Sequence, residues 1–442
     1  LDALQWDALR FRADARINAI IRQSAAAGTG VTLADASREL GSDAASAGRP
    51  AGHELFLEHV HLTWEGNGAL ARLLAAASAR ALWGAEAADA AVWPADAACA
   101  ASLGYTDLGR HLLLSTMDSL MARPPFTGQR TYGEDRVRAT VALGELNAAL
   151  AAPGAVAAAA RQIERAREAD PENLFLVSHA AAVRLQLHDA AGALALNEKL
   201  ATLQPPSPEQ AVQRAAALLA LRRGTEAETA LQAAARTEPY YFQTYGLLAQ
   251  GWHAAHETAK GRAYFAELAR RMPDSRAVRI PLAQFCQAAG DWPAAEAELR
   301  AVLRFVPDEE GALAPLVRRL ETTDRREAAL ELMLAAYTYN PRSFANNSRL
   351  VEHFETTGDE ARTVEFMEAL AESGPVNAQL FLALAERLPR LGRAGEVPVA
   401  LVRAYRAAVV AGDEALARRI AGQVETLGLL AAPAPAGRSP QP

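Results

Sequence analysis

The sequence predicts a mainly α-helical chain: a partial α/β segment followed by a right-handed solenoid of about eight helical hairpins. Three observations carry that expectation. Pro171, Pro205, Pro239, Pro273, Pro307, Pro341 and Pro375 each stand 34 residues from the next. In the register those prolines set, small residues recur where the two helices of a hairpin must approach each other. Apolar residues make up 50% of the chain but aromatics only 6%, and alanine dominates, which suits closely packed helices better than sheets.

At 442 residues the chain is long enough for two or three domains. A net charge of −7 argues against general binding of a phosphate backbone, which needs a basic face. Cys99 and Cys286 lie far apart and make no metal or redox spacing, so both read as small buried hydrophobes. No apolar run reaches the ~18 residues that span a bilayer. Nothing before Trp6 resembles a signal peptide, and the first residue is Leu1, so the chain is expected to begin inside a longer protein. The compartment, bacterial cytoplasm or cell envelope, is not legible.

Residues 1–85 form the first expected unit. Leu9, Ala13, Ile17, Ile20 and Ile21 fall at helical spacing, with Arg10, Arg12, Arg16 and Arg22 between them. Gly28 and Gly30 end that helix, and Val31–Leu33 reads as a short buried strand before Asp35. A polar loop (Gly41 to Gly52) leads into Leu55-Phe-Leu-Glu58-His-Val-His61-Leu-Thr63-Trp-Glu-Gly66-Asn67. A closing helix is expected from Ala69 to about Trp83, with Leu70, Leu73 and Leu74 on its apolar face.

That block resembles the last part of SGNH (GDSL-type) hydrolases, where an acid and a histidine three residues apart precede a short polar residue and a glycine. Glu58 and His61 fall on the acid and the histidine, Thr63 on the polar position usually held by asparagine, and Gly66 on the glycine. The resemblance implies the tail of a flavodoxin-like sheet domain and hydrolysis or transfer of an ester acyl group. His61 would be the general base and Glu58 the carboxylate that fixes its tautomer. Glutamate at 58 departs from the family's usual aspartate. The nucleophilic serine and the oxyanion-hole residues have no counterpart here, because the resemblance covers only about 85 residues and begins one helix before the last strand. Two other readings stay open. His53, Glu58, His59 and His61 could make a metal site, since His59 and His61 would share a strand face. Alternatively, the histidines merely satisfy local hydrogen bonds.

Residues 86–137 read as a helical connector without the 34-residue pattern. Trp83 and Trp93 bracket an alanine-rich stretch, and Leu108, Leu112, Leu113 and Leu120 recur at roughly helical spacing. Arg123-Pro-Pro-Phe126 is a break, expected to be packed by its phenylalanine between the two domains.

Residues 138–428 carry the repeats, including a capping helix from Glu414 to Leu427. With each proline as position 32, position 8 holds Ala181, Ala215, Ala249, Ala283, Val317, Val351 and Ala385. Position 20, facing it, holds Ala193, Ala227, Gly261, Ala295, Ala329 and Thr363. Position 24 holds Leu231, Phe265, Leu299, Met333 and Met367, with Asn197 the exception. This pattern resembles the tetratricopeptide repeat, two antiparallel helices on a 34-residue period. An earlier repeat fits Leu143, Leu146, Gly154, Ala159 and Ile163, and a degenerate eighth runs from Ala378 to about Ala411. Hairpins that cannot bury their apolar faces alone stack into a superhelix with a concave groove. Pro281 and Pro315 share position 6. Either their helices start late or each proline kinks its helix and widens the groove.

The resemblance implies a scaffold for a protein or peptide partner. Position 5 carries no basic residue (Ser178, Val212, Gly246, Ile280, Ala314, Ser348, Leu382), which speaks against a clamp for a terminal carboxylate. Position 9 runs from Ala182 and Ala216 through Gln250 and Gln284 to Arg318, Glu352 and Glu386, a groove passing from apolar to polar. The competing reading is a purely intramolecular scaffold that presents the N-terminal domain. The Pro- and Ala-rich tail, residues 429–442, is expected to be disordered. No cofactor motif is present and no nucleic-acid partner is expected. The whole reads as a bacterial type of fusion between a truncated hydrolase-like domain, without its nucleophile in this chain, and a repeat scaffold.

Overall fold

In the computed structural model, which describes residues 15–42, 52–58, 60–86, 92–374 and 377–426, the regular elements are helices. The chain divides into two units, residues 1–99 and residues 100–442. Leu9, Ala13, most of the Gly41–Gly52 loop, His59, Pro375 and the 429–442 tail lie outside the described residues.

The first unit contains α1 (Ala15–Ala27), α2 (Ala36–Ser42) and α3 (Trp64–Trp83). The expected sheet is not formed among the described residues. Residues 31–35 make no ladder, and Val31 and Leu33 are 56% and 39% exposed. A strand holds its shape only against a partner strand, and none of the described residues pairs with this segment. The one described β pairing is an isolated antiparallel bridge, Phe56 to Leu62. Asp35 is held instead by its side chain: it accepts from Arg22 Nε at 2.6 Å and from Ser37, and these bonds bring its carboxyl down to about 2. Helix α3 begins five residues earlier than expected. Thr63 caps it by accepting from the Gly66 N–H at 3.0 Å, which satisfies one of the orphan donors at a helix start.

Helix α4 (Asp96–Ser102) lies at the boundary, and α5 (Asp107–Met121) opens the second unit. The hairpins follow as α6 (Tyr132–Ala151) with α7 (Ala155–Ala169), α8 (Leu174–Gln186) with α9 (Ala190–Leu203), and α10 (Pro208–Ala220) with α11 (Gly224–Thr237). Next come α12 (Gln243–Ala254) with α13 (Thr258–Arg271), α14 (Arg276–Ala288) with α15 (Trp292–Leu303), and α16 (Glu310–Thr322) with α17 (Arg326–Tyr339). The last are α18 (Phe344–Thr357) with α19 (Glu360–Ser373) and α20 (Ala378–Arg387) with α21 (Val397–Val410), before a final α22 (Glu414–Thr426). The six described ladder prolines all stand in the turns that follow second helices, where a missing N–H costs least.

The register explains the packing. Ala181, Ala215, Ala249 and Ala283 are essentially inaccessible, as are Ala193, Ala227, Ala295 and Ala329 opposite them. Leu231, Phe265, Leu299 and Met333 fill the space those small residues leave, within a continuous core that runs from Ala193 to Phe366. A second core runs from Val364 to Val424 and joins the last hairpins to α22.

From the hairpin of α8 and α9 onward, the turn between the two helices repeats as strictly as the prolines. His188, Arg222, His256, Gly290, Asp324, Gly358 and Gly392 all have φ between 57° and 77°, one per 34 residues. Only three are glycine, so the tertiary packing holds four side-chain-bearing residues in a left-handed conformation they do not favour.

Pro281 and Pro315 lie inside α14 and α16, which begin at Arg276 and Glu310. Those helices therefore do not start late. Pro281 is buried and Pro315 partly buried, and both helices continue through the missing hydrogen bond.

Candidate functional site

The first unit carries the acid–histidine turn. Glu58 is 4% exposed at its side chain, and its carboxylate accepts from the Val60 N–H at 3.0 Å and the His61 N–H at 2.7 Å. The same carboxylate meets Nδ1 of the His61 ring. The His61 side chain is 59% exposed. Thr63 closes the turn by donating its hydroxyl to the Glu54 carbonyl at 2.9 Å, and its N–H donates to the Leu55 carbonyl at 2.9 Å. Gly66 sits directly beneath that carbonyl: a Cβ there would stand 2.2 Å from the Leu55 oxygen. Only glycine permits this approach. Among the described residues no hydroxyl group bonds to His61, and no group of three His, Cys, Asp or Glu side chains could hold a metal ion; His59 lies outside them.

In the second unit, Gln250, Gln284, Arg318, Glu352 and Glu386 are all exposed on the first helices of successive hairpins. Gln250 and Gln284 line a cavity of about 390 Å³ with Gly246, His253, Ile280 and Pro281. Arg318 and Glu352 line another of about 450 Å³ with Val317, Arg349 and His353. Glu386, on α20, lines neither. Charges at the rim pair across neighbouring hairpins: Arg276 bonds Glu309 at 2.8 Å, and Arg349 bonds Glu310 at 3.0 Å.

The sequence reading missed what the connector does here. Arg123 lines the same cavity as Gln250 and Gln284. A few residues on, Arg342, at the α17–α18 junction, donates to the carbonyls of Thr127 at 2.9 Å and Gln129 at 3.1 Å. Its guanidinium also lies 5.5 Å from the centre of the Tyr132 ring, which is 2% exposed. The connector therefore runs from the groove to a junction some two hundred residues later. Phe126 is buried in this unit. The Pro-Pro-Phe break was the visible signal, but nothing in the sequence marked Arg342 as its holder.

His253 faces both groove and core. Its ring stacks on Phe285 at 4.0 Å, and burial pushes its imidazole below the ordinary value of 6.5. His179 is lowered by burial in the same way. Their contribution is complete above pH 6.5 and declines as the pH falls below it, because the unfolded chain takes up protons that the buried rings resist. The urea midpoint is expected to fall between pH 7 and pH 5, and the double variant His179→Gln/His253→Gln to flatten that slope. An unchanged slope would contradict this assignment.

These features define a class: an α-solenoid of tetratricopeptide-type hairpins with two cavities bordered by its first helices. Residues 253–320 match the family described as Tetratricopeptide repeat. No curated protein matched the sequence. Among solved structures, the chain is similar to the human IFIT1 dimer with m7Gppp-AAAA, at 13% identity and TM-score 0.38 over 71% of this chain and 80% of that one. A tetratricopeptide repeat protein from Parabacteroides merdae aligns at 11% identity and TM-score 0.30, over 63% and 96%. YrrB, described as a TPR protein with an unusual peptide-binding site, aligns at 14% and 0.29, over 41% and 90%. Neither the family match nor these structures support the expected hydrolase-like domain in residues 1–85, and no sheet is formed there among the described residues. No single described helix is long and apolar enough to cross a membrane.

Proposed function

We propose that the solenoid is a scaffold whose groove binds an extended or helical segment of a protein partner. The observation that supports this reading most is the row of exposed side chains, Gln250, Gln284, Arg318 and Glu352, bordering two open cavities on consecutive first helices. The two amides offer donors and acceptors to a peptide backbone, while Ile280 and Pro281 give apolar floor beside them. Peptides selected from a random library on the full chain provide the test. Gln250→Ala/Gln284→Ala is expected to weaken them by roughly 10–100-fold, as two lost hydrogen bonds of about 0.7–1.4 kcal/mol each require. Unchanged affinity, or a preference for single-stranded RNA over every peptide, would refute the groove assignment.

A second reading concerns the Glu58–His61 turn and is supported by the carboxylate holding His61 Nδ1. In it the turn is the acid–base half of a serine ester hydrolase or acyltransferase, the serine coming from outside the chain described, and the repeats recruit its substrate or partners. A serine-reactive fluorophosphonate is expected not to label this chain. Stoichiometric labelling that disappears in His61→Ala would show that the nucleophile is present after all.

A further inference from the structure

A hairpin in a solenoid packs on its neighbours alone and needs no contact with distant repeats. The connector departs from that rule, because residues 123–129 meet four successive hairpins at the starts of their first helices. Arg123 lines the groove cavity with Gln250 and Gln284, and also with Phe242, Arg276 and Glu309, which stand at the starts of α12, α14 and α16. Arg342, two residues before α18, donates to the carbonyls of Thr127 and Gln129, 215 and 213 residues away in the chain. The connector is thus a strap along the rim of the groove, and one guanidinium holds its far end.

Two features make this contact a removable one. The turn keeps its own shape: the Phe126 N–H donates to the Arg123 carbonyl at 3.0 Å, Gly128 to Pro125 at 3.1 Å, and Gln129 to Phe126 at 2.9 Å. Loss of the Arg342 bonds therefore frees the turn without unfolding it. The turn also leaves space beneath it. Phe126 and Thr127 are buried, but an open cavity of about 790 Å³ lies between Pro124, Pro125 and Gly128 on one side and Tyr337, Glu365 and Glu372 on the other. Segments built into a core pack without voids of that size. Contacts of this kind belong to the part of a structure that opens locally.

We propose that the connector turn is a built-in occupant of the groove rim, which a partner segment must displace. The proposal rests on the groove reading above and adds a regulation to it. With the strap in place, Arg123 stands in the cavity whose Gln250 and Gln284 meet the partner, and four hairpins are held in one mutual rotation. With the strap released, the cavity is clear and the rotations between neighbouring hairpins can relax. Competition of this kind lowers the apparent affinity by the fraction of molecules that are open. By linkage, a partner that binds the open form also favours release of the strap.

The test uses the full chain and its Arg342→Ala variant, with library peptides selected on both. Arg342→Ala is expected to keep the helical spectrum and to bind the peptides at least fivefold more tightly than wild type. Arg342→Lys is expected to fall between them, because its ammonium still donates but lacks the planar fork. Trypsin reads the strap directly at the exposed Arg130, since the bond after Arg123 precedes proline and resists cleavage. Cleavage after Arg130 is expected to be at least tenfold faster in Arg342→Ala, and saturating peptide is expected to accelerate it in wild type. The wild-type measurement needs no variant and decides alone if Arg342→Ala loses its helical spectrum. Unchanged cleavage in the variant, or peptide that slows cleavage in wild type, would overturn the proposal. Peptides that depend on Gln250 and Gln284 but bind Arg342→Ala no more tightly would make the strap a structural brace and remove this proposal alone. Absence of any such peptide from both selections would remove the groove reading and this proposal with it.

Discussion

Phe285→Ala is expected to destabilise the repeat array by about 3–5 kcal/mol, the range for removing a large ring from a packed core. Phe285 is fully buried and ties three hairpin helices together. It stacks on His253 from α12 at 4.0 Å and lies 5.8 Å from Phe265 of α13. It also occupies the space above Gly261, where an added Cβ would stand 2.3 Å from the ring. The same contact predicts the partner variant. Gly261→Ala relieves a helix-propensity penalty of about 1 kcal/mol, but it forces the ring away at an overpacking cost of about 1–3 kcal/mol, so a net loss is expected. The two sites touch, so their effects should not add. Gly261→Ala in a Phe285→Leu background is expected to cost less than in wild type. Urea unfolding followed by circular dichroism measures all four proteins. A loss below about 1 kcal/mol for Phe285→Ala would mean the ring is not the hinge of packing described here.

Gly66→Ala is expected to take apart the acid–histidine turn. The added methyl group would meet the Leu55 carbonyl oxygen at 2.2 Å and its carbon at 3.0 Å, and both are backbone atoms that cannot rotate away. Relief requires breaking the Thr63 N–H bond to Leu55, which in turn displaces the Thr63 cap on α3. Loss of that bond and the cap together costs on the order of 2 kcal/mol locally. The Val60 and His61 amides, now bonded to Glu58, should exchange with solvent faster, and the His61 ring resonances should shift. Spectra of this segment identical to wild type would show that the turn does not depend on the close approach at residue 66.

How much could be read beforehand differs between the two units. In residues 253–320 and their neighbours the sequence was sufficient, because each hairpin meets the same packing problem. The alanines at 181, 215, 249 and 283 and the hydrophobes at 231, 265, 299 and 333 are local answers to it, repeated until chance is excluded. Residues 31–33 failed for the opposite reason. Val31 and Leu33 around a threonine fit a buried strand as well as an exposed extended segment, and only a neighbouring strand decides between them. The start of α3 was misplaced because Thr63 was weighed as a site residue rather than as a cap. Pro281 and Pro315 were read through the cost of an isolated helix, whereas their helices are held by the core.

That Gln250, Gln284, Arg318, Glu352 and Glu386 stay exposed could be read because the register fixes which face of a first helix remains outside the core. The grouping of four of them into two cavities, and the entry of Arg123 into one of these, could not. Arg342 and Thr127 are 215 residues apart, and no local pattern connects them. The left-handed turn residues show the same division. Gly290, Gly358 and Gly392 announce their conformation, while His188, Arg222, His256 and Asp324 adopt it only because the helices on either side are already packed.

By itself, then, the sequence determined the hairpin, its 34-residue period and the acid–histidine spacing, since each depends on residues within a turn or two of one another. The tertiary structure decided which distant groups meet: Arg342 with the connector, Phe285 with Gly261 and His253, and Arg123 with Gln250 and Gln284 around one cavity. Those contacts depend on how successive hairpins stack, a sum of small rotations that the repeat period does not encode.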